Sequence, residues 1–438
     1  MSTVPCPSII REPARDIPVI DTADVVVIGA GPGGVGAAVA AARNGARTVL
    51  VERFGSFGGT WTQGILSAVM PFPFVRGIFG EIAAAMRREV AAWNPWDNQY
   101  GSSANYDTEA IKIVLDRLVI DAGVRPLFFA HAAAILREGR RLDGVVIESR
   151  EGRHAIRGRQ FIDATGDGDV CALAGVPFGM GAPDGSGCQP MSMIFKMSGV
   201  DDARADAYRK EEDHHMERAW GAARKRGEVT VPREDVLSGK LPRPGQWQFN
   251  TTRIPGKDAT RLRDVTEAMI EGRRQVAEVA TFLRKNIPGF ERAVVSETAA
   301  HVGVRESRRI HCDYRITPED IVEARAFDDC IARGNWFIDI HSPTGEGTTR
   351  IHPPEGRWYE IPYRSIRPEG IDNLLVASRC IDSTHESHAA IRITPQITAI
   401  GQGAGTAAAL CIRLNLPSTR MLDAALLRNT LREQGAFV

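Results

Sequence analysis

The sequence predicts an α/β chain: a parallel sheet flanked by helices, carrying a small antiparallel sheet and interrupted by an inserted α+β domain. Three observations predict it. A glycine-rich strand–turn–helix unit occupies Asp24–Glu52, a second apolar strand leads into a helix near the C-terminus, and the composition changes between them. At 438 residues the chain is long enough for two or three domains. The expected division is 1–180 and 356–438 for the two parts of a dinucleotide-binding domain, with 181–355 covering a substrate.

Composition narrows the function. The chain is 43% apolar and 25% charged with a formal net charge of zero, which gives no electrostatic case for nucleic acid or an anionic membrane as partner. Seven scattered cysteines without a CxxC pair argue against a disulfide framework, a zinc ribbon or an iron–sulfur cluster, and favour a reducing cytoplasm. The first 21 residues lack the apolar core of a signal peptide, and no apolar run reaches the length of a membrane span.

The first unit reads DVVVIGAGPGGVGAAVAAARNGARTVLVER. Val25–Ile28 form a β-branched run suited to a buried parallel strand. Gly29, Gly31 and Gly34 make GxGxxG between strand and helix, and Glu52 follows about 20 residues on at the end of a second strand. Gly29 permits the tight turn, Gly31 lets backbone N–H groups approach a pyrophosphate at the positive helix end, and Glu52 is placed to accept from ribose hydroxyls. This half is expected to bind an ADP-containing cofactor; the motif alone does not separate FAD from NAD.

Three further features favour FAD. Arg53 is followed by SFGGTWTQG, in which Gly59 and Thr60 provide a second donor-rich loop for an extended cofactor. Residues 124–165 read as short strands, with the backbone near Ala132 a contact for the adenine edge and Thr165-Gly166 in a turn returning to the adenosine. The segment IDNLLVASRC is another buried strand leading into the C-terminal helix.

These pieces, in this order, resemble a known family. REPARDIPV, the GxGxxG unit, GGTWTQG, FIDATGDGD, GVRESRRI, YEIPYRSIRPEGIDNLLVASRC and HAAIRITPQITAIGQGAGTAAA run nearly end to end. The chain resembles FAD-dependent oxidoreductases with the two-dinucleotide, glutathione-reductase-like fold, related to fumarate reductase flavoproteins. The resemblance implies a Rossmann-like FAD-binding domain, bound FAD and redox chemistry, with Asp382 near the ribityl chain. Relatives with covalent FAD often carry a histidine after the first unit; SFGGTWTQG has none, so non-covalent FAD is expected, with Cys380 or a neighbouring histidine the weaker alternative as anchor.

The middle of the chain is expected to carry a charged helix from Asp201 to Arg226 and another from Asp258 to Lys285, with Leu262, Val265, Met269 and Ile270 on one side. Read as a strand, HVGVRESRRI puts Gly303, Arg305 and Ser307 on one face. Arg305 or Arg308 then either ties two domains together or clamps a substrate carboxylate or hydroxyl. Tyr363 and Arg364 in GRWYEIPYRS are candidate pocket residues, and the tryptophan and lysine pattern of a halogenase is not evident there.

SRCIDSTHESHAAIRITPQ, at 378–396, is the most chemically crowded stretch. His385 and His388 stand three apart, not at the HExxH spacing, and no metal site is expected. Thr394-Pro395 marks a helix start, with no helix before it. Glycines at 401 and 405 are expected to let that helix press against a flat ligand, its N-terminus, Arg392 and the Ile393 backbone facing the flavin pyrimidine edge. His385 or His388 on the preceding loop would be the base.

The function expected is oxidation of a C–OH, C–N or CH–CH unit of a small polar metabolite, with hydride passing to FAD and then to oxygen or a redox partner. The alternatives are a flavoprotein monooxygenase and a non-catalytic FAD electron-transfer subunit.

Overall fold

The computed structural model describes residues 10–69, 76–89, 93–98, 101–211, 213–345 and 347–438. Strand β1 (Val19–Ile28) enters helix α1 (Pro32–Arg43) through the glycine turn, and β2 (Thr48–Glu52) follows. The run Val25–Val27 is wholly buried, as its β-branched composition requires of a strand covered on both faces. The sheet of β1 and β2 is continued farther along the chain by β3 (Arg125–Phe128), β4 (His131–Glu138), β5 (Arg141–Ser149) and β6 (Gly152–Asp163).

Strand β6 joins the parallel and antiparallel parts of one seven-stranded sheet. From Ala155 to Asp163 it pairs parallel with β1, Val26 opposite Phe161 and Ile28 opposite Asp163. Its first half pairs antiparallel with β5, which pairs with β4. The antiparallel meander is therefore an outgrowth of the parallel sheet.

The inserted part builds its own sheet from β7 (Phe195–Ser198), β8 (Ser238–Lys240), β9 (Gln246–Phe249) and, after helix α2 (Leu262–Asn286), β10 (Val294–Thr298). The order is β8-β9-β7-β10, all antiparallel. Its apolar core spans Met191 to Val302 and also takes in Ile65. Ile310 and the segments that follow it pack into the core of the parallel sheet.

Two helix expectations need correcting here. The charged helix over 201–226 is two, Asp202–Glu211 and Glu217–Lys225, because the buried Asp213 carboxylate accepts from Glu217 N at 2.7 Å and Arg218 N at 2.9 Å and starts the second one. On α2 the buried line is Ala268, Gly272, Val276, Val279 and Leu283, whereas Leu262 and Ile270 are exposed.

The chain then completes the parallel sheet with β11 (Leu374–Val376) beside β6, giving the parallel order β3-β2-β1-β6-β11. Helices α3 (His385–Ile391) and α4 (Thr394–Arg413) follow. A side chain at Gly401 would meet the Gly33 carbonyl oxygen at 2.0 Å, and one at Gly405 the Ala37 carbonyl at 2.0 Å. These glycines therefore let α4 lie directly on α1, which is the close approach the sequence had suggested for a flat ligand.

Candidate functional site

A cleft of about 390 Å³ runs between the ends of the parallel sheet and the inserted core. At its first end, Gly29 holds a left-handed backbone (φ 94°), and a side chain there would strike Ala164 O at 2.4 Å. Gly31 borders the cleft with nothing within 4 Å of where its side chain would be. Gly34 lies off the cleft: a side chain there would meet the Gly29 carbonyl oxygen at 1.8 Å, so its part is to let α1 pack against the turn. The loop carrying Gly59 and Thr60 borders the same end, tied to the first turn by Gly58 N donating to Ala30 O at 2.7 Å.

Glu52 is buried at the tip of β2. Its carboxylate accepts from Ala30 N at 2.6 Å and Phe54 N at 2.9 Å, which fixes both glycine loops relative to the strand. Burial raises its pKa, opposed by those two backbone donors. Arg53, Ala132, Thr165 and Gly166 border the cleft nearby. The turn after β6 is held by the buried Asp163, which accepts from Thr165 N, Thr165 Oγ1 and Cys171 N.

Three residues at this end carried no signal in the sequence. Asp167 accepts from Arg379 Nη2 at 2.5 Å and Ser307 Oγ at 2.6 Å, and both Asp167 and Arg379 border the cleft. His301 donates Nδ1–H to its neighbour's carbonyl, Val302 O, at 2.8 Å and stacks on Phe54 with ring centroids 5.1 Å apart. Burial pushes its pKa down to about 4, so the ring is neutral. Local spacing betrays none of these, since Asp167 and Arg379 are 212 residues apart.

The other end is formed by α4 and the inserted part. Arg392, Thr394 and Ile397 border it from one side; Ser192, Ile194, Asn250 and Arg305 border it from the other. Ile393 is the residue preceding α4, its side chain buried, and Thr394 presents the helix end to the cleft. Arg392 donates to Asp339 O at 3.3 Å. Arg305 donates to Pro190 O at 2.6 Å and to Asn250 Oδ1 at 3.5 Å. Burial, then the guanidiniums of Arg392, Arg233 and Arg253, push the Arg305 pKa well down.

Besides Gly34 and Ile393, four expected site residues lie away from the cleft wall. His385–Ile391 is a helix, its N-terminus capped by Thr384, and it turns both histidines under the 305–306 segment. His388 Nε2 is 2.9 Å from Arg305 O, and His385 Nδ1 is 2.9 Å from Glu306 Oε1. Neither ring faces the cleft, so the expectation of a loop base is corrected. Tyr363 is a core residue, 1% exposed, whose hydroxyl donates to Thr419 O at 3.0 Å. Asp382 accepts from Cys312 N at 2.7 Å and Arg315 Nε at 2.8 Å and lies off the cleft, whereas Ser378 and Arg379, just past the strand, border it.

The donor set fits a dinucleotide: an open glycine at a helix N-terminus, a buried carboxylate at the second strand's tip, and basic groups along the cleft. Residues 24–431 match the family described as FAD dependent oxidoreductase. The chain belongs to that family. FAD is accordingly its cofactor, and this FAD dependent oxidoreductase is an enzyme.

Among curated relatives, a digeranylgeranylglycerophospholipid reductase of Methanopyrus kandleri is 32% identical over 154 residues, 33% of this chain and 39% of the relative. A thiamine thiazole synthase of Methanococcus maripaludis is 33% identical over 154 residues, 33% of this chain and 55% of the relative. The match thus spans only about two fifths to a little over half of these relatives' lengths. Among solved structures, a geranylgeranyl bacteriochlorophyll reductase-like protein of Thermoplasma acidophilum aligns with a TM-score of 0.52 at 14% identity, covering 95% of this oxidoreductase and 84% of that chain. That likeness establishes the shared fold. Among the described residues, no helix is long and apolar enough to cross a membrane.

Proposed function

We propose that this oxidoreductase oxidises a C–OH, C–N or CH–CH unit of a small polar metabolite bound against the α4 end of the cleft. FAD, when bound, supplies the two-electron acceptor for that oxidation. The observation that carries the reading is the cleft's composite wall. The dinucleotide motifs form one side, and Ser192, Asn250 and Arg305 of the insert stand opposite. The insert, within 181–355, is on this reading the substrate-covering domain.

The residues divide the work. Gly29, Gly31, Glu52, Arg53, Gly59, Thr60, Ala132, Thr165 and Gly166 hold the ADP part, with Gly34 packing behind them. Arg392 and the N–H groups at the start of α4 favour negative charge at the opposite end. Ser192 and Asn250 orient the substrate by hydrogen bonds. The FAD is held non-covalently, since the buried Cys380 thiol lies 2.9 Å from Ser378 Oγ and away from the cleft wall; acid precipitation should release all of it into the supernatant.

A second reading is the reverse reaction, reduction of an activated double bond. A relative named as a reductase, matching a third of this chain, favours it, as does the suggested kinship with fumarate reductase flavoproteins. Anaerobic mixing with a panel of alcohols, amines and acids tests both. Bleaching of the flavin absorbance without NAD(P)H is the expected result. Bleaching by NAD(P)H alone, with re-oxidation by an enoate, would instead select the reductase.

A further inference from the structure

Arg305, at the α4 end of the cleft, feels three other largely buried guanidiniums: Arg392, which also borders the cleft, and Arg233 and Arg253 behind the wall. Those three have a carboxylate. Arg233 pairs with Asp235 at 2.8 Å, Arg253 with Glu234 at 3.3 Å, and Arg392 reaches Asp339 at 3.8 Å. Asp339 is itself shared with His341 at 3.3 Å and Arg350 at 3.5 Å. The nearby Glu306 is taken by Arg309 and His385.

Arg305 is the exception. It is 8% exposed, its guanidinium donates only to the neutral acceptors Pro190 O and Asn250 Oδ1, and among the described residues no carboxylate lies within 4 Å of it; Asp339, which acts on it from farther off, is already shared by Arg392, His341 and Arg350. A buried guanidinium without a counter-ion is unfavourable, and natural structures pair such groups. Here the unpaired group borders the cleft. Arg392 adds to the imbalance, because its Nε–H is buried without a hydrogen-bond partner. The planar fork of Arg305 suits a two-oxygen acceptor.

We infer that the substrate carries a carboxylate, and that Arg305 supplies its missing counter-charge beside Ser192 and Asn250. The inference rests on the proposed reading only in taking this end of the cleft as the substrate's. It makes charge the basis of selection. A neutral analogue of the same shape leaves Arg305 buried and unpaired, so the site discriminates against it.

The test uses the full-length, FAD-loaded protein at constant ionic strength. Acetate, succinate and inorganic phosphate, with acetamide and succinamide as neutral counterparts, are titrated by calorimetry and by the flavin difference spectrum. The expected result is saturable binding of succinate or acetate, at least tenfold tighter than the matching amide. It should weaken at least tenfold in Arg305→Met and only in part in Arg305→Lys. Equal binding of acid and amide, saturation by phosphate alone, no carboxylate binding in the wild type, or unchanged succinate affinity in Arg305→Met each overturns it. Loss of FAD from Arg305→Met while the wild type ignores carboxylates would mean that the cofactor is the anion Arg305 serves. The wild-type acid-against-amide comparison decides even if that variant folds poorly. A carboxylate that binds while no metabolite bleaches the flavin leaves this subsite standing and removes the oxidation reading.

Discussion

His388 Nε2 lies 2.9 Å from the carbonyl oxygen of Arg305, so a fully buried imidazole holds the backbone of a residue whose side chain borders the cleft. A carbonyl oxygen only accepts, so Nε2 carries the hydrogen and the ring is a donor there. We predict that the expected base acts instead as a positioning residue.

His388→Ala removes that donor and leaves the Arg305 carbonyl buried without it, at a cost of about 1–3 kcal/mol in stability. Displacing Arg305 by a fraction of an ångström should lower kcat/KM by about ten- to a hundredfold. The shape of the pH–rate profile should stay as in the wild type. Loss of an acidic limb from that profile would reinstate His388 as a base.

The buried histidines also set an acid limit on stability. Burial lowers the pKa of His388 to about 4 and that of His341 to about 3. An unfolded chain binds these protons at about pH 6.5, well before the folded one does. Stability therefore falls as the pH drops from about 6.5 towards 4, and is unaffected by these groups above 7. Melting temperatures of the FAD-loaded protein across pH 4–8 check this, and His388→Gln should flatten the slope. A melting temperature constant between pH 7 and 4.5 would contradict it.

What was legible in the sequence was what a local backbone requirement dictates. Gly29 is readable because the turn needs its φ of 94°, and Val25–Val27 because a strand covered on both faces needs apolar residues throughout. What escaped depends on which face of an element meets which neighbour. The Gly401 and Gly405 pair shows that α4 approaches something closely, yet only the fold shows that it is α1. His385 and His388 read as loop residues facing the pocket because the capping exchange between Thr384 and Ser387, which starts a helix and turns them inward, leaves no hydrophobic period to read. Arg379 was invisible because its meaning comes from Asp167, far away in sequence.

Tyr363 gives a control. Its hydroxyl donates to Thr419 O in the core of the parallel sheet and away from the cleft. Tyr363→Phe should cost about 1 kcal/mol in denaturant unfolding and leave kcat and the FAD affinity unchanged. A tenfold fall in kcat at unchanged stability would return Tyr363 to the site.

The glycine turn makes the sharpest separation between binding and folding. Gly31 has ordinary negative φ (−66°) and open space where a methyl would go, on the cleft side of the helix start. Gly31→Ala should therefore fold with an unchanged apoprotein melting temperature, while its methyl stands where the backbone must approach the pyrophosphate. The expected weakening of FAD binding is about tenfold or more, read by fluorescence titration of the apoprotein. Gly34→Ala is the opposite case. Its methyl would overlap the Gly29 carbonyl at 1.8 Å, forcing α1 off β1, so it should cost about 1–3 kcal/mol before any cofactor is added. If Gly31→Ala binds FAD as the wild type does, the turn does not face the pyrophosphate, and the assignment of this end of the cleft to the ADP moiety fails with it.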